Sequence, residues 1–395
     1  MGVAIRNKTI KYLFLLFPFF ELFTLELFVS KNILAVPFNL ILTCLSIARL
    51  LISLFMIVKA LHRNIFTISY TVWGIFLFSL FRILSSLLNQ SFYVGLVIGG
   101  ISYIGFVLLC EEMIYESRKD FYDAVYYLLG FYTFLGVLSV WILPNGFFNA
   151  EDKAYAVYFL GSKNASYPYF FTFTYVWYLK NLIKNGEMPK FGGWIILLLL
   201  LTERICDSSN AVLCFALLWG FHMFIKHNKK IYENLSPFLL EIIVIIGACL
   251  IVFGSTSSFL ENILAMLGRD ISFSGRGLLW KQAINLIVQN PLTGTGGATT
   301  FILATGVPML HAHCFYLDIF AKYGVLVFAS IIGMISFIML RLSKEKKRKE
   351  IIVSGVFVFI YLVHCISEDT SIYFLSMILL LAESLYMKRG KTYRK

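Results

Sequence analysis

The chain has 395 residues, of which 59% are hydrophobic and only 14% charged, and its mean hydropathy is +0.80. Soluble domains average about 25% charged and 45–50% apolar residues, so this composition excludes a soluble globular protein and leaves an all-α polytopic integral membrane protein. A membrane barrel is excluded as well, because its strands alternate polar and apolar residues whereas these segments are apolar all round. The net charge of +12 is the excess expected of cytoplasmic membrane loops; with no folded basic domain it implies no nucleic acid.

Apolar windows of about 20 residues mark twelve predicted transmembrane helices. In chain order they cover 12–30, 33–58, 65–88, 92–110, 121–143, 166–183, 190–204, 208–226, 236–255, 321–340, 351–366 and 370–387. The first follows a basic start (Arg6, Lys8, Lys11) and lacks a small-residue cleavage site, so it reads as a retained helix. With the N-terminus inside, the inner segments hold 24 of the 34 Lys and Arg and the outer segments 7. That asymmetry supports an even number of crossings with both termini cytoplasmic.

Residues 256–313 form the longest connection, outer by this count, and long loops in compact proteins carry function or are disordered. This one keeps apolar periodicity and reads as folded. Within it, 278–289 is an amphipathic helix with Lys281, Gln282, Asn285 and Gln289 on one face and Trp280, Ile284, Ile287 and Val288 on the other. About 18 Å long at 1.5 Å per residue, it is too short to span and is expected along the outer membrane surface or on the bundle. The organisation is then a bundle over 1–255, a folded extracytoplasmic loop over 256–313, and the last three spans with a basic tail over 314–395.

Basic residues on the outer side oppose the topology rule and need a reason. Arg269 and Arg276 lie seven apart, Arg204 ends the seventh span and Lys163 sits in the 144–165 loop. Guanidinium forks suit phosphate oxygens, so together they can form a cationic pocket for a diphosphate headgroup; snorkelling or pairing with Glu203, Asp207 or Asp270 is the simpler alternative. The run NPLTGTGG follows the amphipathic helix, and Gly294, Gly296 and Gly297 can offer backbone N–H groups to an anion or merely make a tight turn. His311 and His313 precede the tenth span and suit proton transfer near neutral pH. A metal site needs a third ligand, and none is evident nearby. His364, followed by Glu368 and Asp369, can face the same pocket. Arg49, Arg82, Glu21, Glu26 and Glu241 lie within spans, where an internal ion pair is the simpler expectation. The seven cysteines show no CxxC spacing, so neither a disulfide framework nor a metal cluster is expected.

SGRGLLW (Ser274 to Trp280), NPLTGTGG (Asn290 to Gly297) and HCFYLDIFAKYG (His313 to Gly324) together resemble the signature of the O-antigen ligase/polymerase superfamily, which includes bacterial polysaccharide polymerases. The family pattern runs S-G-R-x-x-x-W, then P-L-x-G-x-G, then H-N-x-x-L and a Gly after a short helix. FLGSKNASYPYF (Phe159 to Phe170) resembles a loop of Gram-positive capsule polymerases. The resemblance implies a GT-C-like membrane glycosyltransferase of the bacterial cytoplasmic membrane. It implies a polymerase that joins polyprenyl-diphosphate-linked oligosaccharide repeat units at the outer face, inverting, with no metal and no cofactor. A ligase acting on a lipid or wall acceptor is the alternative within the superfamily, and a flippase of lipid-linked sugar the alternative from another class. Membrane lipid, a chain-length regulator and a flippase are the expected partners. Arg276 matches the arginine that holds the leaving diphosphate and His313 the histidine that serves as general base; Arg204, Arg269, Lys163, Gly294, Gly296, Trp280 and His311 are the expected substrate contacts. Two positions depart from the pattern. Cys314 replaces an Asn or Ser, and Ser209 in SSNA stands where the family has Arg in S-R-x-A, a place Arg204 is expected to fill.

Overall fold

The computed structural model describes residues 7–20, 35–62, 69–147, 156–227, 235–254, 276–303, 305–345 and 348–387. They form α1 (Asn7–Leu16), α2 (Ala35–Leu61), α3 (Tyr70–Leu88), α4 (Val94–Ile142), α5 (Tyr167–Asn185), α6 (Gly192–Ile205), α7 (Ser209–His227), α8 (Pro237–Gly254), α9 (Arg276–Gln289), α10 (Phe315–Lys344), α11 (Lys349–Ser367) and α12 (Ile372–Glu383). Two short antiparallel hairpins join them: β1 (Val157–Tyr158) with β2 (Gly161–Ser162), and β3 (Phe301–Ile302) with β4 (Pro308–Met309).

Among the described residues six helices are long and apolar enough to cross a membrane: α2, α3, α4, α7, α10 and α11. The protein is thus a mostly helical membrane protein. The predicted first span, 12–30, is interrupted. Helix α1 ends at Leu16 and Phe17–Phe19 form a 3-10 turn carrying Pro18, whose ring removes a helical donor. The predicted inner connection 111–120 is also corrected: it is helical. Helix α4 runs 49 residues, about 74 Å at 1.5 Å per residue, with one non-helical residue, Ser117 (φ −164°, ψ 92°).

Contacts at its two ends and its middle show what the bend does. Near its start, the Leu96 carbonyl accepts from Arg82 near the end of α3. Just past its end, the Pro144 carbonyl accepts from Tyr158 of β1. At the bend, Arg118 donates to the Met387 carbonyl beyond α12, and the Tyr122 hydroxyl bonds that of Ser384. Both ends of α4 therefore lie on one face of the bundle and Ser117 on the other. Each limb, 94–116 and 118–142, is long enough for the roughly 30 Å core of a bilayer.

The core is aromatic and centred on α5, α11 and α12. Every residue of α12 is buried, as is most of α11, so these helices pass through the middle of the bundle. Tyr175 stacks on Phe357 at 4.7 Å, and Tyr167 stacks on the His364 ring at 4.0 Å. Helix α2, with only Ser53 and Met56 buried, forms the periphery, as expected of an apolar helix that faces lipid.

Helix α10 also contains a break, at Gly324 (φ 80°, ψ −176°), between a short limb 315–323 and a long limb 325–344. A helix end exposes unpaired carbonyls. Here the NPLTGTGG run supplies the donors: Thr295 N–H to Ala321 O at 3.0 Å and Gly296 N–H to Lys322 O at 2.7 Å; Val325 N–H bonds Pro291 O at 2.9 Å. A Cβ at Gly324 would lie 2.1 Å from the Leu292 carbonyl oxygen, and one at Gly294 would lie 2.5 Å from the Lys322 backbone. Gly324→Ala should therefore combine a left-handed backbone penalty of about 1–3 kcal/mol with a backbone clash. The expected outcome is a clearly lower midpoint of thermal unfolding in detergent and less folded protein in the membrane. An unchanged midpoint would contradict the packing of this loop on α10.

Candidate active site

One face of the bundle gathers the short β hairpins, the 206–208 turn, the start of α9, the chain before α10 and the 368–371 connection. Three residues far apart in sequence meet there. Arg276, the first residue of α9, makes an ion pair through Nη2 with Glu368 Oε1. His313 Nδ1 lies 3.6 Å from Glu368 Oε2. The Glu368 side chain is 6% exposed, whereas those of Arg276 and His313 are 23% and 29% exposed. Burial alone would raise the Glu368 pKa, but the hydrogen bond from His313 and the charges of Arg276 and His364 outweigh it and hold the carboxyl below its ordinary value. One carboxylate thus anchors a guanidinium and orients an imidazole, and among the described residues Nε2 of His313 has no hydrogen bond.

The backbone at His313 lies in the left-handed region (φ 51°), which costs a non-glycine residue about 1–3 kcal/mol. Its neighbours hold it there. The Ala312 amide donates to Asp318 Oδ1 at 3.0 Å, and Cys314 is buried with Leu279, Trp280, Ala283, Phe301 and Ala321. Burial pushes the Cys314 thiol up to about 12, so it packs as a small hydrophobe and not as a thiolate.

His311 does not share this group, although only one residue separates it from His313. Its Nδ1 faces Asp369 Oδ2 at 3.2 Å and Asp318 Oδ2 at 3.5 Å. Lys322 Nζ donates to Asp318 Oδ2 at 2.8 Å and to the Leu310 carbonyl at 2.6 Å. Consecutive carboxylates, Glu368 and Asp369, therefore hold the two histidines apart. The sequence offered no third metal ligand beside the His pair, whereas the fold brings two carboxylates to His311. The three could hold a cation, but the Lys322 ammonium already neutralises Asp318.

The other expected substrate contacts divide. The Gly294 and Gly296 amides are donated to the carbonyls of Asn290 and Lys322, which corrects the reading of them as anion donors. Trp280 is fully buried against Cys314 and Ala321, so its part is packing beneath the site. Lys163 and Arg204 each lie 3.6 Å from Asp207, itself at φ 59°, and the Arg204 side chain is 71% exposed; their ion pair is with Asp207 and not with Glu368. Arg269, with Ser274 and Gly275 of the first motif, lies outside the described residues, as do Glu21 and Glu26. The SSNA stretch stitches elements together: Ser208 donates to Asn164 at 3.0 Å, and Asn210 donates to His364 Nδ1 at 2.9 Å and to its carbonyl at 3.0 Å. His364 is buried beneath the site between Asn210 and Tyr167.

Residues 193–332 match the family model described as O-antigen ligase. That segment is similar to the O-antigen ligase domain over about a third of the chain. The matching segment runs from α6 to residue 332 in the second limb of α10, with Arg276 and His313 inside it and their shared partner Glu368 beyond its end. No curated protein and no solved structure matches the chain.

The His311 cluster generates a pH prediction. The hydrogen bond with Asp318, aided by Asp369 and opposed by burial and by Lys322, raises the His311 pKa above 6.5. A raised pKa means that its contribution to stability is complete below about pH 6.5 and is lost as pH rises through the folded-state value. Thermal unfolding of wild type and His311→Gln between about pH 5.5 and 8.5 should show the largest gap at the acid end, closing toward the alkaline end. A gap that does not change with pH would remove the charged interaction.

Proposed function

We propose that the protein is a glycosyltransferase that moves a glycan from a polyprenyl diphosphate to an acceptor hydroxyl, and that it works as a polysaccharide polymerase joining lipid-linked repeat units. The observation that carries this reading is the Arg276–Glu368–His313 group within and beside the O-antigen ligase segment. Inverting transfer needs two things at one carbon. The departing diphosphate gains negative charge, which a preplaced cation stabilises. The attacking hydroxyl must lose a proton to a nearby base.

In this reading the acceptor oxygen attacks the anomeric carbon as its bond to the diphosphate oxygen breaks. The proton passes to His313 Nε2, and the diphosphate leaves against the guanidinium of Arg276. Glu368 keeps Nδ1 of His313 engaged, which stabilises the imidazolium that forms. The lipid part of the donor needs an apolar path to this point. A groove of about 350 Å³ between α8, α9 and α10, lined among others by Ile245, Ile284, Ile287, Phe320 and Phe328, reaches Cys314, the residue after His313. Arg204 and Lys163 stand at the rim, available to the outer glycan or to lipid headgroups.

Orientation follows from charge. Lys59, Arg118, Lys184, Lys226, Lys344 and Arg348 lie at helix ends or bends away from the site, which supports a cytoplasmic position for that face and an outer position for the site. Cysteine at position 345 should resist impermeant thiol reagents in intact cells, and cysteine at position 163 should react. Labelling of 345 from outside would reverse the orientation.

A ligase is the second reading, favoured by the description of the matching family. In vitro transfer from a defined lipid-linked repeat unit separates the two, since a polymerase gives a ladder and a ligase a single addition to a separate acceptor. Arg276→Ala should abolish either product, and Arg276→Lys should recover little because an ammonium lacks the planar fork. His313→Ala should cost about 10²–10⁴ in rate while donor binding persists, and His311→Ala should cost far less. Transfer should also persist in chelator. Equal mild losses for the two histidine variants, or activity restored by zinc, would sink the assignment of His313 as the base.

A further inference from the structure

A cavity of about 420 Å³ opens beside His311 and Asp369, on the flank of the transfer site. Its walls include Tyr103, Tyr169, Tyr373 and Phe374, and its charged or titratable polar groups include His311, Asp318, Lys322, Asp369 and Arg82. Aromatic faces with a few convergent polar groups make a setting in which a pyranose ring stacks and its hydroxyls are bonded.

The two carboxylates of the cavity already have partners. Asp318 and Asp369 are met by Lys322 and His311. Arg82 is only 9% exposed, and among the described residues no carboxylate lies within ion-pair distance of it. Its Nη2 donates to the Leu96 carbonyl at 3.1 Å, while its Nε is buried with no hydrogen-bond partner. The guanidinium sits among the rings of Tyr103, Phe78 and Tyr323 at 5.4, 5.7 and 5.9 Å. Cation–π contacts offset part of the cost of burying it. Burying a cation is costly, and ionisable residues at membrane depth characteristically mark functional sites. Among the described residues Arg82 thus has no ion pair, and it lines the cavity. A guanidinium there is matched best by a carboxylate or phosphate oxygen pair.

We propose that this cavity is the acceptor subsite and that Arg82 makes it selective for a saccharide bearing an anionic group. The anion is a uronate carboxylate or a sugar phosphate substituent. The inference rests on the transfer reading for the word acceptor, but saccharide binding can be measured without any lipid donor.

The test uses the purified full-length protein in detergent and four probes: a trisaccharide ending in glucuronate, the same trisaccharide ending in glucose, the same ending in glucose 6-phosphate, and inorganic pyrophosphate. Wild type should bind at least one acidic trisaccharide about tenfold or more tighter than the neutral one, a difference of about 1.4 kcal/mol. Which of the two acidic probes binds tighter identifies the anion. Arg82→Gln should bring the acidic affinity down to the neutral value and leave the neutral affinity in place. Equal affinities of acidic and neutral glycans for wild type would overturn the proposal even if Arg82→Gln failed to fold. Displacement of the acidic glycan by pyrophosphate at comparable concentration would also overturn it, by assigning Arg82 to the donor diphosphate. Loss of transfer in Arg276 and His313 variants tests the transfer reading separately, so either conclusion can fail alone.

Discussion

Within a membrane protein a helix that stops short must find partners for its last carbonyls, because no water is at hand to take them. The end of the 315–323 limb meets this constraint through the NPLTGTGG run, whose amides bond Ala321 and Lys322 and whose glycines let backbone touch backbone. Helix α9 enters this run directly, and α10 continues from it. The run is further tied to α3, since Ser85 and Asn89 both donate to the Thr293 carbonyl. Arg276 at one end of α9 and His313 just before α10 are therefore held relative to each other by a joint that neither residue touches.

The second constraint is electrostatic. Glu368 and Asp369 are adjacent in the chain and take opposite partners, one facing Arg276 and His313, the other facing His311. The first set is a cation and a base at a single anion, suited to charge development on a leaving group and to proton transfer from an attacking one. The second set is paired internally with Asp318 and Lys322 and forms one side of the aromatic cavity that also holds Arg82. Adjacent residues thus divide a donor side from an acceptor side at the proposed site of transfer.

Several motif residues act through packing. Trp280, Gly294, Gly296 and Gly324 all lie in the stretches that resemble the superfamily, yet they touch the protein interior or its backbone. Their spacing reports how the loop folds onto α10. Arg276 and His313 lie in the same stretches and are partly exposed at the face where substrate would arrive.

Composition and hydropathy by themselves determined the membrane class and most of the helices, because a helix in lipid satisfies its own backbone and must be apolar along its length. The motif register singled out Arg276 and His313, since residue type and spacing within a short loop are local information. Amphipathic periodicity likewise outlined α9, which begins only two residues before the predicted 278. What pairs with what was decided by the tertiary structure. Glu368 lies 92 residues from Arg276, and no periodicity links them. The separation of His311 from His313 depends on a left-handed backbone and on two carboxylates arriving from the α11–α12 connection. The bend at Ser117 and the aromatic cage around Arg82 are of the same kind. Each depends on which helices pack together, and apolar helices of similar composition leave that choice to side-chain shape and to a few long-range polar contacts.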